Sequence, residues 1–165
     1  YIVERFSPKE SSQITDLHRL EIFVGDMAMR FLSKGNLGKY IEAYRKSLQL
    51  GEECLDMRDR NMAKNIDIAE SHLRKVHPHL KRDPLRLTVC LGSAHKPEKY
   101  TSIPVNVVSL VNPNEMTFRD KIKSTGSDHE LLIHGAEIMA GSNPTIDLER
   151  ARKMSYDELC KLLTK

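Results

Sequence analysis

The sequence predicts an α/β domain, helix-rich, with a mostly parallel central sheet flanked by several helices, and either a whole domain or the C-terminal part of a larger one. Three observations carry that prediction. Apolar residues recur every three or four positions through most of the chain up to His77, the pattern of helices with one inward face. Leu85-Arg86-Leu87-Thr88-Val89-Cys90-Leu91 is apolar at nearly every position, as a strand covered on both faces would be. A second such run, Val105–Val111, follows a polar loop that holds glycine and two prolines.

Taken in order, Ile2, Val3 and Phe6 read as a short strand closed by Ser7-Pro8, because proline donates nothing to a ladder. Ile14, Leu17, Leu20, Phe23 or Val24, Met27 and Phe31 then share a helix face, with Ser11 or Ser12 as the N-cap and Gly35-Asn36 as the stop. A second helix from about Leu37 uses Tyr40, Ile41, Tyr44 and Leu48. A third, from about Gly51 to His77, uses Cys54, Leu55, Met62, Ile66, Ala69, Leu73 and Val76 and is ended by Pro78. The last third is helical again. Ser127 with Glu130 and Ser155 with Glu158 have capping-box spacing, and Asn143-Pro144 places proline at a helix start.

At 165 residues, 39% of them apolar, the chain can bury one core but not two full ones. No apolar run approaches the ~18 residues that a membrane span needs, and the first six residues lack a signal-peptide core. The 26 Lys and Arg are interleaved with acids to a net charge of +3, and aromatics are 5%, so neither a phosphate-binding stripe nor a base-stacking platform is present. These features argue against nucleic acid as a partner and against a membrane span. Cys54, Cys90 and Cys160 are odd in number, widely spaced and without a CxxC pair, which suits core thiols in a reducing, cytoplasmic-type compartment.

Ligands gather at the carboxyl ends of strands in open α/β sheets, and the turn Gly92-Ser93-Ala94-His95 ends the predicted strand Arg86–Leu91. Small residues let backbone approach a ligand, and imidazole titrates near neutrality. His95 is therefore a candidate catalytic or metal-ligating residue, against the plainer reading of a hydrogen-bonded loop histidine. Glu4 ends the first predicted strand and would share the cleft with His95 if the strands are parallel neighbours, as an orienting group, base or metal ligand. Its plain alternative is a surface pair with Arg5 or a helix N-terminus.

Arg58 lies on a helix face that otherwise points inward and must find an anion, with Glu4, Asp59 or a substrate carboxylate as candidates, unless it belongs to a solvated charged face. His72, His77 and His79 are poorly placed for one metal, since positions 72 and 77 diverge around a helix and Pro78 breaks it. Cys90 inside a strand reads as inert, and Ser93 lacks a GxSxG elbow.

Three segments together carry a resemblance. They are Val3-Glu4-Arg5-Phe6 with Gln13 and Leu17; Arg58-Asp59-x-x-Met62-Ala63-x-Asn65-Ile66; and Val89-Cys90-Leu91-Gly92-Ser93-Ala94-His95 followed by Ile103-Pro104. In order and spacing the set resembles the superfamily that joins erythromycin esterases, ChaN-like haem-binding lipoproteins, the Tiki and TraB proteins, and Ras/Rap-cleaving endopeptidase domains of bacterial toxins. The middle segment resembles the family's helical Arg-Asp-x-x-Met-Ala signature, and the third its second Gly-x-x-His strand end. The resemblance implies that residues 1–111 are the family-like region of a single domain, or of its C-terminal part, with residues 112–165 a helical C-terminal region.

Carried over by position, Glu4 and His95 become catalytic or ligand residues, and Arg58, Gly92 and Ser93 become substrate-binding or site-ordering residues. The resemblance implies a hydrolase that cleaves peptide, amide or ester bonds by Glu/His-activated water, in a toxin or effector setting whose compartment would be a host cytosol. Its substrate would be a protein or a small molecule. The alternatives are a haem- or metal-binding module without turnover, and a degenerate structural domain. A divalent metal or haem fits the family, and nothing in the sequence requires either; any metal would use His95 and Glu4. The family's first Gly-Glu-x-His motif has no counterpart here, so an N-terminal remainder of the same fold is the expected partner of this piece.

Overall fold

The computed structural model describes residues 5–81, 88–91, 95–104, 106, 126–142 and 146–164. The elements are α1 (Pro8–Ser33), α2 (Leu37–Val76), α3 (Asp128–Ser142), α4 (Leu148–Ala151) and α5 (Tyr156–Leu163), with single 3₁₀ turns at Pro78–Lys81 and Pro97–Lys99. The chain divides into two units, one of Tyr1–Asp16 and Glu53–Thr117, the other of Leu17–Glu52 and Phe118–Lys165.

The predicted α/β class with a parallel central sheet is overturned: the described residues are helix-rich and include no strand. Thr88–Leu91, the described end of the expected strand, has no regular structure, with Thr88 and Cys90 exposed and Val89 and Leu91 half-buried. A short apolar run has no decisive period, and what makes it a buried strand is cover on both faces, which exposed Thr88 and Cys90 lack. Ile2-Val3, Arg86-Leu87 and, apart from Asn106, Val105–Val111 lie outside the described residues. Of the three cysteines read as core thiols, Cys54 is buried and half-buried Cys160 packs against the core of the second unit, whereas Cys90 is exposed.

In the first unit, Ser7-Pro8 begins a helix. Glu10 sits three residues beyond Ser7, so the Ser7 N–H donates to Glu10 Oε2 (2.8 Å) and the Glu10 N–H to Ser7 Oγ (3.3 Å), with Pro8 at the first helical position. Hydrogen bonds from the Ser7 side chain and the Ser7 N–H hold the Glu10 carboxyl below the usual range. The Asn65 amide donates to Arg5 O (2.9 Å) and to Asn61 Oδ1 (2.9 Å), tying the segment before α1 to α2. Cys54, Met62, Ala63, Ile66 and Ala69 form the buried face of α2 in this unit.

In the second unit, α1 ends in a Schellman turn. Asn36 N–H reaches Phe31 O and Gly35 N–H reaches Leu32 O, both at 2.9 Å, and Gly35 takes the left-handed φ of 67° that the motif needs. Asn36 then caps α2 through its side chain and carbonyl, so one short turn serves both helices. The two helices predicted over residues 37–77 are one: Gly51 is buried inside α2, where packing outweighs the ~1 kcal/mol cost of a helical glycine.

The core of this unit joins Ala28, Leu32, Leu37, Tyr40, Ile41 and Leu48 to Leu131, Leu132, Ala136, Ala151, Leu159 and Leu163. Tyr40, fully buried, donates its hydroxyl to Leu131 O (3.1 Å) and stacks on Tyr44 at 5.7 Å, and burial pushes its hydroxyl well above the ordinary tyrosine range. Both capping boxes expected in the last third form, at Ser127/Glu130 and Ser155/Glu158. Asn143-Pro144 lies outside the described residues, and α4 is capped by Asp147.

Candidate functional site

Asp59 lies on α2 in line with Leu55, Met62 and Ile66, at helical spacings of four, three and four that return to one face. An aspartate placed there is carried inward with its neighbours, and its exposure is 0%. A carboxylate so placed must find donors, since an uncompensated buried charge costs several kcal/mol (~3–5). Among the described residues, one loop supplies two. His95 Nδ1 lies 2.8 Å from Asp59 Oδ1, and the Lys96 backbone N–H donates to Asp59 Oδ2 at 2.9 Å.

Two turns further along, ~12 Å at 1.5 Å per residue, Asp67 holds the other end of that loop. Thr101 Oγ1 donates to Asp67 Oδ1 at 2.5 Å and Ser102 N–H to Oδ2 at 3.1 Å. Burial opposes ionisation of Asp67, and the hydrogen bonds from Thr101 and Ser102 outweigh it, holding the carboxyl below its usual range. Between the clamps, buried Pro97 opens a 3₁₀ turn and the Arg60 guanidinium lies 5.4 Å from the centre of the Tyr100 ring. Residues 95–102 are thereby pinned along α2 at both ends.

The chemistry of the pair follows from which ring atom is engaged. A carboxylate facing Nδ1 selects the tautomer with the proton on Nδ1, leaving the lone pair on Nε2. The His95 side chain is 11% exposed, and among the described residues no hydrogen bond engages Nε2 and no buried polar atom lacks a partner, so Nε2 keeps access to solvent. A ring held in this way can accept a proton from water or a hydroxyl, or ligate a metal.

Of the residues predicted for the site, His95 is placed with a partner, but that partner is Asp59. Arg58, next to Asp59 on α2 and ~100° around the helix, is half-buried. Glu4, Gly92 and Ser93 lie outside the described residues, so the Glu4–His95 cleft has no described geometry. Asp59 enters the sequence reading only through the helical signature and as a candidate partner for Arg58; its inward position in the Leu55–Ile66 register is the signal that marks it as a group needing a donor. Among the described residues, no cluster of three or more His, Cys, Asp and Glu side chains converges as a metal site would require. A groove of about 430 Å³ lined by Gly38, Ile41, Glu42, Arg45, Lys46 and Gln49 belongs to the second unit, and neither Asp59 nor His95 lines it. No helix among the described residues is long and apolar enough to cross a membrane.

Comparison of the chain with protein-family models, with curated proteins and with solved structures gives no match.

Proposed function

We propose that this chain carries the histidine of a hydrolytic site, in which His95 takes a proton from the water that attacks an amide or ester carbonyl. The observation that supports this reading is the Asp59–His95 contact: a fully buried carboxylate 2.8 Å from Nδ1 of a ring whose Nε2 is engaged by no hydrogen bond among the described residues. Asp59 fixes the tautomer and stabilises the imidazolium that forms, the orienting role an acid plays behind a general-base histidine. Arg58 would bind an acidic group of the substrate, Gly92 and Ser93 would let its backbone approach, and Glu4 would supply a second carboxylate to the same water. The substrate class, peptide or small ester, follows the resemblance to the esterase and endopeptidase superfamily. The odd number and wide spacing of Cys54, Cys90 and Cys160, without a CxxC pair, suit a reducing compartment, and for a toxin or effector that compartment is a host cytosol.

The test is turnover of p-nitrophenyl esters and of a fluorogenic peptide mixture by the chain, set against its His95→Ala and Asp59→Asn variants with helicity checked by circular dichroism. His95→Ala should lower kcat/KM by about 100-fold or more, the usual worth of a general base. Asp59→Asn should lower kcat and displace the pH profile. Equal rates in the chain and in His95→Ala would refute the reading. An unprotonated Nε2 also suits a haem- or metal-binding module without turnover, and a Soret band on haem titration that is lost in His95→Ala would favour that second reading.

A further inference from the structure

On α1, within the second unit, Leu20, Ile22 and Phe23 are 47%, 51% and 62% exposed. Leu20 and Phe23 are three residues apart on one side of the helix and Ile22 adjoins Phe23 ~100° around it, and none of the three is needed for the core of that unit, which α1 enters through Ala28 and Leu32. Clustered exposure of this kind marks a contact surface more often than scattered single residues do. The charges around the patch define what fits it. Arg19 and Asp26 are seven residues apart, so they lie on the same helix face two turns from each other, with Ile22 and Phe23 between them. Both are exposed, and among the described residues neither is in an ion pair.

We propose that this face of α1 binds a second copy of the same chain, with the two α1 helices antiparallel about a two-fold axis beside Ile22 and Phe23. The charge order decides the orientation. An antiparallel copy sets Arg19 against Asp26 of its partner and Asp26 against the partner's Arg19, both attractive, while Phe23 and Ile22 cover each other. A parallel copy sets Arg19 against Arg19 and Asp26 against Asp26, both repulsive. The patch is therefore complementary to itself in one orientation, the requirement of an isologous contact. Its three apolar side chains cover less than the ~1,200 Å² of a standard stable interface, so the dimer is weak, with a Kd of roughly 10 µM to 1 mM.

Sedimentation equilibrium of the chain across that concentration range at low salt tests this. The chain should associate reversibly to a dimer, and Phe23→Glu should remain monomeric with unchanged helicity, Phe23 being mostly exposed. Arg19→Glu or Asp26→Arg alone should each weaken dimerisation about tenfold, because each change makes both symmetric pairs repulsive. An equimolar mixture of the two variants should restore it as a heterodimer. In that pairing the carboxylate introduced by Arg19→Glu meets the guanidinium introduced by Asp26→Arg, and the unchanged Asp26 of one copy meets the unchanged Arg19 of the other. A monomer throughout, a dimer untouched by Phe23→Glu, or single variants that the mixture does not rescue would each overturn the proposal.

Discussion

Replacing Asp59 removes the acceptor for two donors that the loop brings to it, His95 Nδ1 at 2.8 Å and the Lys96 N–H at 2.9 Å. A hydrogen bond to a charged group is worth about 1.5–3 kcal/mol, which sets the gross loss near 3–6 kcal/mol. Part returns, because His95 and Lys96 are half-buried and their donors can turn to water once the loop loosens. Asp59→Ala should therefore cost about 3 kcal/mol. With a urea m-value of about 2 kcal/mol/M, the unfolding midpoint should fall by about 1.5 M.

Asp59→Asn separates charge from shape. Its carbonyl oxygen can still accept from Lys96 N–H, but its amide then faces His95 Nδ1, so the ring must place its proton on Nε2. That variant should lose about half as much stability, and the ¹⁵N shifts of the His95 ring should report the exchanged tautomer. A midpoint loss under about 0.3 M for Asp59→Ala, or an unchanged His95 tautomer in Asp59→Asn, would refute the account of a buried acid that orients the ring.

Other outcomes follow from the core and from the depressed acids. A Cβ at Gly135 would lie 3.1 Å from Tyr40 Cε1 and 3.2 Å from its hydroxyl, and Tyr40 cannot give way because it is buried, bonded to Leu131 O and stacked on Tyr44. Gly135→Ala should thus destabilise by about 1–2 kcal/mol despite its better helix propensity, and by less in a Tyr40→Phe background; Gly38→Ala, which meets nothing within 4 Å, should stabilise slightly, all read by urea denaturation. Asp67, and Glu137 beside Arg152 and His134, are held below their usual range because hydrogen bonds outweigh the burial that opposes ionisation. Folded values below unfolded ones give stability that is present above about pH 4 and is lost as pH falls through the folded values. The urea midpoint should accordingly drop between pH 5 and pH 3, and less so in Asp67→Asn/Glu137→Gln, whose amides do not titrate.

The helices are legible in the sequence because their signal repeats: one face returns every three or four residues, and an error at one position is corrected by the next. Their boundaries are less so. Ser7-Pro8 stops a strand or starts a helix by the same ring geometry, and what decides is Glu10, whose carboxylate reaches back to the Ser7 N–H. Gly51 looks like a break until burial inside α2 shows packing overriding propensity. Leu85–Leu91 offered no repeat to correct the reading, so apolar content alone stood for a strand that exposed Thr88 and Cys90 do not make.

Asp59 shows where the candidate site was readable and where it was not. Its place between Leu55 and Met62 says that the carboxylate is carried inward, hence that donors must come to it; periodicity cannot say which, because His95 lies 36 residues away and reaches α2 only through the path of the loop. His95 stood out for an expected strand end that the described residues do not show, yet the ring does meet an acid. What makes it a candidate is the demand of a buried charge. A polar residue in an inward helical register is therefore the better starting point for finding such a pair than the loop residue that answers it, since burial fixes the need before any partner is known.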